Sequence, residues 1–292
     1  MTSRLEKNKK ERRKIERSER RKKRKAALIN FLKIFFGFSI IILSISSYIY
    51  YASTSVISVR EYSNIYNTLP KEFHGFKIVQ FGDLYYDNNY SKTIEILVKK
   101  INILKPDLIV FTGGLINKNY SLKETSKNKL ETYLSKIKSS VGKYYVVGDN
   151  DNEDVVEILN NSGFKLLDNS SELIYYNSTT PILLHGITDN YDIKYKENNK
   201  LFKINILHDA KKTTDILSYN SPEIIMAGKT LNGQVRIPYQ DKILKEKDEL
   251  SYKKTLKLNN TDIFITGGIG TNNLPIRLFN HPSINFYRLR TH

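Results

Sequence analysis

The sequence predicts an α/β domain built on two β-sheets, one of them mixed, behind a single membrane-spanning helix. Three observations carry this. Between residues 77 and 159, short runs of β-branched and aromatic residues alternate with helix-spaced apolar positions, as in βαβ units. From Phe164 onward the helical periods fade and short apolar runs dominate. Residues 34–51 form an 18-residue stretch without a charged side chain.

Charge sets the amino-terminal part apart. The 292-residue chain carries a formal charge of +17, of which residues 1–25 hold +10, from 14 Lys or Arg and four Glu. That segment has too few apolar residues to bury a core and is expected to be disordered, or a solvated helix at most. Beside a membrane it would be drawn to anionic lipid head groups. The uncharged stretch is about 27 Å long as a helix, close to a hydrocarbon core. Tyr48, Tyr50 and Tyr51 suit the far interface. The long basic region and the lack of a small-residue cleavage site favour a retained span over a cleaved signal. The basic side sets the expected topology: amino terminus cytoplasmic, domain extracytoplasmic, in the cell membrane. The expected divisions are a tail at 1–27, a span at 28–52 and a domain at 53–292. With no cysteine, disulfide frameworks and thiolate metal sites are excluded.

The domain's elements follow in order. A strand is expected around residues 56–62, then a turn-rich approach containing Pro70 and Gly75. Residues 78–81 read as a buried strand ended by Gly82. Ile94, Leu97, Val98, Ile101 and Leu104 have helical spacing, and Pro106 stops that helix. A strand at 108–111, an amphipathic helix within 122–137, a strand at 143–147 and a helix through Val155, Val156, Ile158 and Leu159 come next. Apolar runs at 166, 173–176, 182–187 and 204–207 follow. A short helix at 211–217 and strands at 224–227, 262–266 and 284–289 complete the chain.

Five strand-to-loop junctions carry the polar residues of interest. They hold Asp83 and Tyr85; Gly113 and Gly114; Gly148, Asp149, Asn150 and Asp151; His208; and Gly228, Lys229, Thr230 and Leu231. A carboxylate at the carboxyl end of a buried strand sits where open α/β sheets bind ligands. The plainer alternatives stay open: Asp83 and Asp151 as helix caps, with capping the expected role of Asp151; Tyr85 as a space-filler; His208 as a hydrogen-bonded core histidine. His74, His185, His281 and His292 lack such a context and are expected to be structural or exposed.

These junctions, over residues 56 to 290, resemble the calcineurin-like metallophosphoesterases, in particular their membrane-associated branch. Segments outside the junctions carry the resemblance further: Leu69-Pro70, Gly75-Phe76-Lys77-Ile78-Val79-Gln80, Pro106-Asp107-Leu108-Ile109-Val110-Phe111-Thr112-Gly113, Asn232-Gly233-Gln234-Val235-Arg236, and Gly270-Thr271 with Leu274-Pro275-Ile276-Arg277-Leu278-Phe279-Asn280. The resemblance implies a four-layer α/β/β/α sandwich of two mainly mixed sheets flanked by helices. It also implies two divalent ions at the strand ends, held by Asp-x-His, Gly-Asp, Gly-Asn-His-Asp/Glu, a lone His and Gly-His-x-His.

This chain departs from those patterns. Asp83 and His208 match. Tyr85 replaces the first His, Gly114 the bridging Asp, Asp149 the Asn ligand, Asn150 the catalytic His, and Lys229 and Leu231 both His of the last motif. Two dications about 3.5–4 Å apart repel by roughly 18 kcal/mol at an effective dielectric of 20. Without a carboxylate at Gly114 that repulsion lacks its local screen. Asp83, Asp149 and His208 are the residual metal-ligand positions. The expectation is therefore a membrane-anchored, catalytically inactive homologue that needs no cofactor and acts in binding or scaffolding at the envelope, on a phosphorylated component. Its rival is a phosphoesterase using Mn, Fe, Zn or Mg in a rebuilt site, on lipid phosphates. A third possibility leaves the domain as an anchor for a tail that binds ribosome or nucleic acid. If metals are absent, the Lys229 ammonium is expected to replace them, pairing chiefly with Asp149 or Asp83.

Overall fold

The computed structural model describes residues 2–87, 91–118, 120–188, 201–219, 221–236, 250, 252–272 and 276–292. The chain divides into two compact units, Met1–Ile49 and Tyr50–His292. Helix α1, Thr2–Ser55, runs without a break. The basic tail is thus helical, the ordered alternative of the two expected from its composition. Within α1, residues Glu11–Tyr48 contain a stretch long and apolar enough to cross a membrane by length and composition.

The second unit holds two six-stranded sheets. The first contains β1 (Ser58–Tyr62), β2 (Lys77–Phe81), β3 (Leu108–Phe111), β4 (Gly142–Tyr145), β5 (Lys165–Leu166) and β12 (Ser283–Arg288), in the order β1-β12-β2-β3-β4-β5. The second contains β6 (Ser171–Ile174), β7 (Ile182–Ile187), β8 (Lys203–Asp209), β9 (Ile224–Gly228), β10 (Thr255–Leu258) and β11 (Thr261–Ile265), in the order β10-β11-β9-β8-β7-β6. Both sheets are mixed, where strand patterns alone had suggested one. In the first, β12 runs antiparallel to β2 while β2 through β5 are parallel. In the second, β10 and β6 are antiparallel edges on a parallel centre.

Three apolar layers hold this together. Ile94, Leu97 and Ile101 of α2 (Ser91–Leu104), Leu130 and Leu134 of α3 (Glu124–Leu134), and Val155, Ile158 and Leu159 of α4 (Glu153–Asn161) pack on one face of the first sheet. Between the sheets lie Phe76, Ile78, Val110, Val146, Ile204, Ile206, Met226 and Phe264. Ile216 of α5 (Thr213–Leu217) covers the outer face of the second sheet with Leu207, Ile225 and Ile263. The result is the four-layer arrangement that the resemblance implied. The parallel centres have a further consequence: β2, β3 and β4 end together, as do β8 and β9, so their following loops meet on one side.

Candidate functional site

Asp83 follows β2 directly, in a left-handed conformation at φ 50°. Its backbone N–H donates to the Gly113 carbonyl at 2.8 Å, and its own carbonyl accepts from the N–H groups of Ile269 and Gly270. The side chain is fully buried. Oδ2 accepts the Lys229 backbone N–H at 2.8 Å, and Oδ1 has no hydrogen-bond partner. Burial pushes the carboxyl up to about 6; His208, the Lys229 N–H, Tyr85 and Arg277 oppose that shift. Tyr85 is buried too. Burial, and then the neighbouring Asp83 charge, raise its phenol.

Asp151 does not cap α4. Asn152 does, accepting the Val155 N–H. Asp151 instead joins two loops: Oδ2 accepts the N–H groups of Gly114 at 2.8 Å and Gly148 at 2.7 Å, and Oδ1 accepts that of Leu115 at 2.8 Å. A carboxylate three residues after Gly148 can reach back to these donors, whereas the residue next to the helix already meets the capping geometry. Gly114 is left-handed at φ 75°. A Cβ there would lie 2.9 Å from Asp83 Oδ1 and 3.4 Å from His208 Cε1. Asn150 is half-buried on the turn before α4.

The second sheet supplies the rest. His208, buried near the end of β8, shares a hydrogen bond between Nδ1 and the Thr112 carbonyl at 2.8 Å. A carbonyl only accepts, so Nδ1 carries the proton in that bond. Nε2 lies 4.0 Å from Asp149 Oδ1. Lys229, at φ 69° just past β9, extends its ammonium between two carboxylates, 2.7 Å from Asp149 Oδ2 and 2.7 Å from Asp209 Oδ2. Burial alone would lower the lysine and raise Asp209. The bonds between them win, so Lys229 is raised and Asp209 lowered. Leu231 is buried, and its carbonyl accepts the Asn280 amide at 2.6 Å.

The structure thus brings Asp83, Tyr85, Gly114, Asp149, His208 and Lys229 into one centre. Of the expected partners for the ammonium, Asp149 is correct. Asp83 is not, because it takes the Lys229 backbone N–H instead. Asp209 was missed in the sequence. Its only signal there was adjacency to His208, and Lys211 N–H fixes its other oxygen at 3.0 Å.

These residues do not fit a divalent ion. Among the described residues, no three His, Asp or Glu side chains are placed to hold one. The position between Asp149 and Asp209 is filled by an ammonium. Leu231 offers no lone pair, and Gly114 offers no bridging carboxylate.

Comparison with known proteins identifies the family. The calcineurin-like phosphoesterase profile matches residues 76–281. The uncharacterized metallophosphoesterase YkuE of Bacillus subtilis (strain 168) is 25% identical over an alignment of 261 positions that covers 84% of this chain and 89% of the relative. UDP-2,3-diacylglucosamine pyrophosphatase LpxG of Chlamydia muridarum is 33% identical over 87 residues, 28% of this chain and 26% of that enzyme's length. Among solved structures, GAP50, the anchor in the inner membrane complex of Plasmodium, aligns over 72% of this chain and 79% of its own at 11% identity, with a TM-score of 0.39. With a profile match across most of the second unit, two mixed sheets flanked by helices, and the junction loops gathered at the strand ends, this chain belongs to the calcineurin-like phosphoesterase family.

Proposed function

We propose that this protein is a membrane-anchored member of its family that does not hydrolyse phosphoesters and acts in binding or scaffolding at the cell envelope. One observation carries the proposal: the Lys229 ammonium lies 2.7 Å from both Asp149 and Asp209. An internal cation there neutralises carboxylates that would otherwise call for a metal. A hydroxide nucleophile at neutral pH needs a cation able to lower the pKa of bound water, which an ammonium does not supply. Asp83, Asp149, Asp151 and Asp209 together outnumber the nearby Lys229 and Arg277. That balance keeps the phosphate of a phosphorylated envelope ligand outside the ion-paired core. The domain division, tail 1–27, span 28–52 and domain 53–292, belongs to this proposal, with the amino terminus cytoplasmic. Lys25, at the end of the tail nearest the span, meets anionic head groups.

Metal analysis of the purified full chain, with turnover of a generic phosphodiester, tests the inactive site. The expected result is no stoichiometric transition metal and no turnover above buffer. Stoichiometric metal together with turnover abolished in Asp83→Ala would overturn it. Protease added to intact cells tests the topology: the domain is removed and the tail spared. Protection of the domain until lysis would reverse the orientation.

The similarity to a UDP-2,3-diacylglucosamine pyrophosphatase favours one other reading, hydrolysis of a lipid-linked phosphoester. The same metal and turnover measurement, made with a lipid phosphoester, separates the two.

A further inference from the structure

The basic segment of α1 is ordered by face. At about 100° per residue, Arg13, Lys14, Arg17, Arg20, Arg21 and Arg24 fall within about 120° of the helix circumference. All six are exposed. Five of them, with Ser18, flank one shallow surface groove. Glu11, Glu16 and Glu19 all lie outside that face, among Arg12, Lys22 and Lys23, which balance them. Between residues 11 and 24, one side of the helix therefore carries six positive charges without an acid, and the other side is close to neutral. Sequence counting gives only a net charge; the unbroken helix sorts it.

The same continuity decides what the face meets. With Ile34 as the first residue in hydrocarbon, Arg24 stands about 15 Å and Arg13 about 32 Å farther along the axis. Head groups occupy roughly 5–7 Å of that distance. The Debye length under physiological salt is about 8 Å. Lipid attraction therefore fades across the stripe and is negligible at Arg13, Lys14 and Arg17. Almost no apolar residue accompanies the stripe, so the helix also lacks a face to bury in lipid.

We propose that this face of α1 binds nucleic acid through its phosphate backbone, holding it away from the membrane. The stripe is about 17 Å long from Arg13 to Arg24. Guanidinium groups suit phosphate oxygens because their planar fork donates two parallel hydrogen bonds. Five of the six positions are Arg. The contact carries no base-reading groups, so binding is independent of sequence.

The test uses the full chain in zwitterionic nanodiscs, a fluorescent DNA duplex and a fluorescent RNA strand, with affinity measured by anisotropy across a salt series. Six phosphate contacts give a slope of log K against log salt of about −5 for the duplex and about −4 for the strand. Replacing Arg17, Arg21 and Arg24 by Gln should flatten the slope by about three units for the duplex and about two for the strand, and weaken binding more than tenfold at low salt. Replacing Arg12, Lys22 and Lys23 by Gln changes the net charge equally and should leave affinity within about threefold. Gln keeps helix propensity, and far-ultraviolet circular dichroism checks that α1 persists in both variants. Equal losses in the two variants, or no binding by the parent chain, would overturn the proposal. So would loss of binding on moving the parent chain from zwitterionic to anionic nanodiscs, which would put the stripe on lipid.

Discussion

Replacing Lys229 by Met isolates the charge at the centre. Methionine keeps an unbranched stem of similar length, and both residues bear the same left-handed backbone cost at φ 69°, so strain cancels in the comparison. Two ion pairs are lost. The lysine side chain is 35% exposed, Asp209 10% and Asp149 38%. Breaking a fully buried pair costs about 3–5 kcal/mol, and an exposed pair is worth about 0.2–1 kcal/mol. With the lysine a third exposed, the Asp209 pair is discounted to about 2 kcal/mol, and the Asp149 pair adds about 0.5 kcal/mol. Lys229→Met should therefore lower unfolding stability at pH 7 by about 2–3 kcal/mol, read from urea midpoints by circular dichroism. The pH dependence gives a second readout. Asp209 is held below its ordinary pKa, so its stabilisation is present above about pH 4 and is lost as pH falls through the depressed value. The variant lacks that depression, so its deficit should shrink on going from pH 7 to pH 3. A deficit unchanged at pH 3 would trace the effect to packing. No deficit at pH 7 would refute the counter-charge role altogether.

Two further outcomes are expected. Asp151→Ala removes the acceptor for three backbone N–H groups, at Gly114, Leu115 and Gly148, and should cost about 2–4 kcal/mol. Amide exchange at Gly114 and Leu115 should accelerate before the rest of the domain, and uniform acceleration would deny the loop-joining role. Asp83→Asn should have the opposite sign. The folded protein holds this carboxyl near pH 6 against an ordinary value of 3.8, so its favourable contribution is complete below about pH 4 and is lost as pH rises through 6. About two pKa units correspond to about 3 kcal/mol, so the amide variant should be more stable than the parent at pH 8 and flatter between pH 4 and 6. A variant less stable at pH 8 would show that the Lys229 N–H and the other neighbours outweigh the burial of the charge.

Much of the fold was legible because its strands are short, β-branched and bounded by glycine or by a polar junction. The strands at 77–81, 108–111, 204–207 and 224–227 appear within two residues of where periodicity put them. Strand β10 was missed. It is an edge strand with alternating exposure, and its four residues, Thr-Leu-Lys-Leu, offer too short an alternation to stand out. That both sheets are mixed came from the family resemblance and not from strand patterns, since antiparallel edges leave no mark on the parallel centre. At the site, the junction residues were found because each ends a buried strand. The roles of Asp151 and Asp209 were not readable. Each depends on a distance between loops far apart in sequence: Asp151 to Gly114, and Asp209 to Lys229. Arg277 is similar. It lies in a segment that carries the family resemblance, yet its work is to satisfy the Gly267 and Gly270 carbonyls, which only the folded chain brings to it.

Gly114 is coupled to the charges around it. An aspartate restored there would place its Cβ 2.9 Å from a buried Asp83 oxygen that already lacks a partner, at a φ of 75° that disfavours any side chain. A second carboxylate would also arrive beside Asp149 and Asp209, whose counter-charge the Lys229 ammonium already supplies. Removing Lys229 first leaves those two uncompensated. Gly114→Asp and Lys229→His are therefore each expected to lower stability when made alone, and the double variant should not show the sum of the two losses. Positions 114 and 229 therefore act as one unit: what either can hold depends on the charge the other leaves unbalanced.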